Sequence, residues 1–183
     1  MISDEEYKKL LKQFHKLSDR HILVVETDMS SFDIQKVVFL SDRIRKAGNE
    51  LVGLVKKNYD QLMRTKKYRK LLKLYGSTDD KKKHKHLANQ LNEMQKQYNV
   101  TWDYCRTSMI PIGKKYSVDA VFALAKAEDI WRGIEKCLYY NGNTIHFSKY
   151  EDLPYIRAKQ INRGIPISVK NNKLQFKLGK STF

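Results

Sequence analysis

Residues 139–149, with the sequence YYNGNTIHFSK, separate two kinds of hydrophobic pattern. Before them, apolar residues recur every three to four positions, which is typical of amphipathic helices. After them, short segments alternate apolar and polar residues, which is typical of β-strands. The pair Asn141-Gly142 is a strong signal for a tight turn. The sequence therefore predicts a helical block that ends near residue 139 and a strand-rich region that follows it.

The helical pattern covers most of the chain before this point. It predicts helices over about 4–18, 31–58 and 60–75, another helix that ends near 98 after a polar segment, and a long helix over about 117–139. Ser30, followed three residues later by Asp33, resembles a capping box and predicts where the second helix begins. Pro111 and Gly113, in the stretch MIPIGKK, predict a break in the chain between the last two helices.

One strand is predicted before the helical block and several after it. Residues 21–27, HILVVET, form a dense β-branched run of strand length. After residue 143 come four segments with strand character, which are TIHFSK, YIRAK, GIPISVK and NKLQFKL. Helices placed between the first strand and the later strands of one sheet indicate an α+β protein with two lobes.

The composition indicates a negatively charged partner. The 183 residues include 36 Lys or Arg and 20 Asp or Glu, which gives a net charge of +16. Such a charge attracts anions, of which nucleic acid is the commonest and an anionic membrane is the rival. No apolar run approaches the roughly 20 residues that span a bilayer, and the N-terminus has no apolar signal-peptide core. Two distant cysteines without a CxxC motif favour a cytoplasmic protein with reduced thiols. We expect no membrane partner.

The positive charge is concentrated in two regions. Residues 56–96 contain thirteen Lys or Arg and four acids, and no acid follows Asp152. A solvated lysine face is one explanation, and a bound polyanion is the other. The second explanation predicts phosphate contacts, with Lys159 and Arg163 as clamps. Asn162 is predicted either to bond a base edge or sugar hydroxyl or to cap the turn before Gly164. The candidate nucleic-acid-binding residues are Lys66, Lys67, Arg69, Lys70, Lys73, Arg157, Lys159, Asn162, Arg163, Lys170 and Lys173.

The sequence does not predict a catalytic centre, a metal site or a cofactor. Glu26 and Asp28 have no partner carboxylate at a defensible spacing, and the acids of the last long helix read as helix-face charges. His84 and His86 lie inside a lysine run, where nearby positive charge opposes cation binding. We therefore expect a binding protein rather than an enzyme.

Two long stretches resemble a known family. Residues 118–167, VDAVFALAKAEDIWRGIEKCLYYNGNTIHFSKYEDLPYIRAKQINRGIPI, resemble the end of the recognition lobe and the start of the second wedge segment in TnpB-type proteins. These proteins are the RNA-guided nucleases of insertion sequences and are related to type V CRISPR effectors. Residues 21–52 are similar to the opening strand and first helix of the family. The matching positions are Asp129, Trp131, Glu135, Asn141, Gly142, His146, Phe147, Lys149, Lys159, Asn162, Gly164 and Ile165.

The resemblance implies a wedge, which is a small oligonucleotide-binding-type β-barrel, with a helical recognition lobe inserted after its first strand. It implies an N-terminal helix and first wedge strand over 1–30, a recognition lobe over 31–139 and the remaining wedge strands over 140–183. It also implies a structured guide RNA and target DNA as partners. No residue matches the acidic RuvC triad or the zinc ribbon of the family, so the implied role is the non-catalytic, nucleic-acid-binding half of such a nuclease.

Two alternatives remain open. In one, the chain pairs with a separate RuvC-bearing polypeptide and completes a nuclease. In the other, it is a stand-alone basic protein that binds RNA or inhibits the effector by mimicking its RNA-binding half.

Overall fold

The computed structural model describes residues 31–140, 142, 144–149 and 156, and the backbone of three short strands between 167 and 182. Its helices are α1 Ser31–Arg64, α2 Lys66–Gly76, α3 Lys81–Gln97, α4 Trp102–Lys115 and α5 Ala120–Tyr139. Its strands are β1 Ile167–Lys170, β2 Lys173–Leu178 and β3 Ser181–Thr182. None of these helices is long and apolar enough to cross a membrane. The predicted helix over 4–18 and the predicted strand over 21–27 lie outside the described residues.

The predicted α+β fold with a barrel is wrong, because the described residues form a helical protein. The three strands form a local antiparallel meander in the order β1-β2-β3. Ile167 lies opposite Phe176, and Lys177 lies opposite Thr182. Since β1 and β3 each pair only with β2 among the described strands, the meander does not close into a barrel. Alternating polarity reports an extended, half-buried backbone, but it does not report how many strands pair or whether they close.

The predicted strand TIHFSK is also wrong, since residues 144–149 have no regular secondary structure. This segment is bound by a side chain of α1 instead of a neighbouring strand. The Asn49 amide nitrogen donates to the Ser148 carbonyl at 2.9 Å, and the Ser148 backbone N–H donates to the Asn49 amide oxygen at 2.8 Å. Ile145 packs against the core while Phe147 is exposed. In a strand Ile145 and Phe147 would lie on the same face, so their different exposure agrees with the irregular backbone. Of the predicted strand YIRAK, only Ile156 is described, and it packs against the core.

Two helix boundaries differ from those predicted. α1 continues to Arg64 rather than ending near 58, and Thr65, with an extended backbone (φ −71°, ψ 115°), separates it from α2. The predicted break at MIPIGKK lies inside α4, which contains Pro111. Pro111 is exposed, and α4 persists because Cys105, Met109 and Ile112 on its other side are buried. Their i, i+4, i+7 spacing is the signal that favours a helix here.

The core lies where α1, α4 and α5 pack together. Gly113 permits the close approach of α4 to α5, because a Cβ at this position would lie 3.2 Å from the Ala123 Cβ. In α5, Phe122, Ala125, Ile134 and Leu138 are buried, while Val121 and Trp131 are half-buried. The largest fully buried side chains in the described part of the chain are Tyr68, Leu51, Leu62, Leu91, Met109, Ile134, Val55, Val100 and Cys105.

Helices α2 and α3 form a hairpin that is fastened to the core by a buried amide. Gln95 of α3 is 4% exposed, and its Nε2 donates to the hydroxyl of Tyr68 at 2.8 Å and to that of Tyr139 at 2.6 Å. Tyr68 belongs to α2 and Tyr139 to α5. One side chain therefore fixes the hairpin internally and positions it against α5.

Candidate nucleic-acid interface

The outer face of α2 is cationic. Tyr68 and Leu71 are the buried residues of this helix. The predicted binding residues Lys66, Lys67, Arg69, Lys70 and Lys73 are all exposed. Apart from Lys67, which lies at the border, they lie opposite the buried positions, since residues three and four apart share a helical face. The structure therefore brings the five predicted α2 residues onto one solvent-accessible surface.

The first turns of α3 add more lysines. Asp80 caps this helix, because its carboxylate accepts hydrogen bonds from the backbone N–H of Lys82 at 2.8 Å and of Lys83 at 3.3 Å. A capping carboxylate stabilises the positive end of the helix dipole. The Lys82 and Lys83 side chains are exposed, as are those of Lys81 and Lys85. These four lysines were not among the predicted site residues, although the run KKKHK is the signal that could have indicated them.

These exposed residues are called the hairpin cations: Lys66, Lys67, Arg69, Lys70, Lys73, Lys81, Lys82, Lys83 and Lys85. None of the nine forms an ion pair within the described part of the chain. Several basic residues in α1, α4 and α5 are paired, as Arg45 and Lys46 are with Asp42 at 2.7 and 2.8 Å, whereas Lys57, Arg64, Lys114 and Lys136 form no ion pair within the described residues. Hydrogen bonds from Lys46 and Arg45 lower the pKa of Asp42, and those from Lys115 and Tyr116 lower the pKa of Glu50. Uncompensated charge is therefore concentrated on the hairpin.

The spacing of the hairpin cations makes them repel one another. Lys66 and Lys70, and likewise Arg69 and Lys73, are four residues apart on α2. Each such pair destabilises a helix by roughly 0.2–0.5 kcal/mol. A bound polyanion would remove this penalty.

A cleft lies between the two helices, beside the lysines. Its volume is about 550 Å³, and it is lined by Leu74, Thr78, Lys82, Lys83, His86 and Leu87. Leu74 is 45% exposed although it is apolar. The cleft thus combines an apolar floor with a cationic rim.

The remaining predicted site residues lie elsewhere. Lys170 and Lys173 are opposite one another at the end of the β1-β2 pair. The other predicted residues lie outside the described part of the chain, and they are Arg157, Lys159, Asn162 and Arg163. The α2 cluster is therefore the part of the predicted site that the structure brings together.

Histidine and cysteine side chains are catalytic or metal-binding in many proteins, but His84 and Cys105 are packed against other residues here. The His84 ring lies against the Tyr75 ring, with 4.0 Å between centroids. Burial raises the pKa of the Cys105 thiol to about 12 and also raises that of Cys137. Within the described residues, no three His, Cys, Asp or Glu side chains lie close enough together to hold a metal ion. The absence of an active site from the whole chain stays a prediction.

Comparison with protein-family models, with curated proteins and with solved structures finds no match to this chain. The resemblance to TnpB-type proteins therefore stays a prediction that rests on the residues quoted above.

Proposed function

We propose that this protein binds nucleic acid and that the hairpin cations contact the phosphate backbone. The observation that supports this most is the contrast in charge compensation. Nine exposed cations lack an ion pair within the described residues, whereas Arg45, Lys46 and Lys115 have one. A row of phosphates supplies the missing counter-charge at a regular spacing, and its binding releases condensed counterions.

The favoured ligand is a structured RNA. This choice rests on the sequence resemblance, in which the chain is the guide-RNA- and target-DNA-binding half of an RNA-guided nuclease. In that role, base pairing by the guide supplies most of the sequence specificity, and the protein holds backbone phosphates. The chain itself does not cleave nucleic acid, and it works in the cytoplasm. The described strands form no barrel, and the helical hairpin is the main contact surface.

The first experiment compares two triple variants that remove the same charge. One variant changes Lys66, Lys70 and Lys73 to Gln. The matched control changes Lys46, Arg106 and Lys115 to Gln. Each of these three cations forms an ion pair with an acidic residue. Because a net charge of +16 attracts any polyanion, the contrast between the variants is more informative than binding by the wild-type protein.

Binding of a structured RNA is measured by fluorescence anisotropy over a range of salt concentrations. Each lost phosphate contact lowers the slope of log K against log salt by about 0.7–0.9. We therefore expect a loss of roughly two slope units in the hairpin variant and less than one in the control. Equal losses would place the interface elsewhere. Stronger binding to anionic vesicles than to RNA, with the same dependence on the hairpin, would favour the membrane instead.

A second experiment tests the more specific role. RNA that co-purifies with the full chain is sequenced, and the protein is incubated with DNA and magnesium. A single structured RNA encoded beside the gene supports the guide-binding role, whereas bulk ribosomal RNA favours a stand-alone RNA-binding protein. Cleavage by the isolated chain would contradict the non-enzymatic role.

A further inference from the structure

A second cleft lies at the other end of α3, away from the lysine run. Its volume is about 410 Å³, which is within the range of small-ligand sites. Three helices contribute to it: the C-terminal half of α3, the start of α4 and the middle of α5. Its lining residues are Asn89, Asn92, Glu93, Gln95, Lys96, Thr101, Trp102 and Trp131. Asn89 and Asn92 are exposed, while both tryptophans are half-buried. The cleft therefore combines free amide groups with indole rings.

The side-chain amide oxygen of Gln95 has no hydrogen-bond partner within the described residues and lies at this cleft. Its Nε2 donates both hydrogens, one to Tyr68 and one to Tyr139. Its Oε1 has no partner among the described residues. Every side-chain nitrogen or oxygen that is closed off from solvent in the described residues has a hydrogen-bond partner. Since Oε1 has none, it is accessible from a surface. Gln95 is 96% buried, and the surface to which it contributes is the cleft wall. If the amide is flipped, its NH₂ group faces the cleft instead, and a polar atom is still unsatisfied.

The charges around the cleft disfavour a phosphate there. Glu93 and Lys96 pair with one another at 2.8 Å, so they contribute little net charge. The ligand that fits is flat, neutral and polar at its edges. An unpaired nucleobase has this character, because its faces stack on aromatic rings and its edges bond to amides.

The position of the cleft agrees with such a ligand. Lys85, one of the hairpin cations, and Asn92 lie on the same face of α3, and the seven residues of helix between them correspond to roughly 10 Å. A stacked strand advances about 3.4 Å per nucleotide, so roughly three nucleotides span this distance. We infer that the cleft between Trp102 and Trp131 binds one unpaired base of a strand whose phosphates lie on the hairpin cations. This inference rests on the proposed function and adds single-stranded character to the ligand.

Tryptophan fluorescence tests the inference directly, because the chain contains only two tryptophans and both line the cleft. The full chain is titrated with a single-stranded oligonucleotide of mixed sequence and with a blunt duplex of the same length. We expect quenching by the single strand and little change with the duplex. Equal quenching by both, or quenching by neither while both bind, would overturn the inference.

A double variant provides the second measurement. Asn89→Ala with Asn92→Ala should weaken single-strand binding by roughly tenfold and leave the duplex affinity and the salt slope unchanged, since each base-edge bond adds specificity without charge. The matched control is Gln61→Ala with Gln97→Ala, which changes two exposed amides outside the cleft. Equal effects of the two pairs would refute the cleft assignment while the proposed function stands. If the variant that lacks Lys66, Lys70 and Lys73 kept the wild-type salt slope, the proposed function would be refuted instead.

Discussion

Replacing Tyr68 with Phe should destabilise the protein more than the same change at Tyr139. Both hydroxyls accept a hydrogen from Gln95, at 2.8 and 2.6 Å. Tyr68 is fully buried, whereas Tyr139 is only partly buried. Removing the Tyr68 oxygen therefore leaves an N–H that water cannot reach, at a cost of roughly 1–3 kcal/mol. At Tyr139 water can replace the lost acceptor, and we expect roughly 0.5–1.5 kcal/mol.

The assay is urea unfolding of the full chain, read by circular dichroism. A stability change appears as a shift of the midpoint without a change of slope. The matched control is Tyr104→Phe, because the half-buried Tyr104 hydroxyl makes no hydrogen bond within the described residues. We expect this control to stay within about 0.5 kcal/mol of the wild type. If Tyr68→Phe were as mild as the control, the buried amide would not fasten the hairpin.

Three further predictions concern stability. Gly142→Ala should destabilise by roughly 1–3 kcal/mol, because the new Cβ would lie 2.9 Å from backbone atoms of Lys136 and Cys137. Gly133→Ala is its control in urea unfolding and should stabilise α5 by about 0.5–1 kcal/mol, since nothing lies within 4 Å of the added Cβ. Asp80→Ala should cost about 1 kcal/mol through loss of the α3 cap, and Asp79→Ala, which leaves the cap intact, should change the urea midpoint much less. Alkaline pH should also destabilise the fold. Burial raises the pKa of Tyr68 to about 12, so the folded state keeps a proton that the unfolded state loses near pH 10. This contribution is present below about pH 10 and is lost as the pH rises toward about 12. Cys105 acts in the same direction from about pH 9, and an unchanged urea midpoint between about pH 8 and pH 11 would contradict both.

The helices could be predicted from the sequence because their burial is periodic. Ile44, Leu51 and Val55 repeat at helical spacing and are buried in α1. The outward direction of Lys66 and Lys70 follows from the same periodicity, since Tyr68 and Leu71 occupy the buried side. α4 was missed because Pro111 was given more weight than the spacing of Cys105, Met109 and Ile112.

The α+β prediction rested on short alternating segments and the barrel rested on the family resemblance, and both predictions are wrong for the described residues. Alternation specifies which side chains face the same way, and it leaves the hydrogen-bonding partner open. Around Ser148 that partner is the Asn49 side chain, 99 positions away in the sequence. The cleft of Trp102 and Trp131 was missed for a similar reason, because it forms only when three helices pack together. It also depends on Gln95, whose NH₂ group is bonded to Tyr68 and Tyr139, and the sequence does not show these bonds.

The double hydrogen bond between Asn49 and Ser148 has a consequence for everything attached after residue 149. Asn49 lies in the middle of α1, a helix of 34 residues. Lys126 of α5 adds a contact of 3.2 Å to the Ser148 hydroxyl, so two helices hold the same residue. An Asp at position 49 could accept from the Ser148 N–H but could not donate to its carbonyl. The chain after residue 149 thus starts from a position that is fixed relative to α1 and α5, and the Asn49 amide is the group that fixes it.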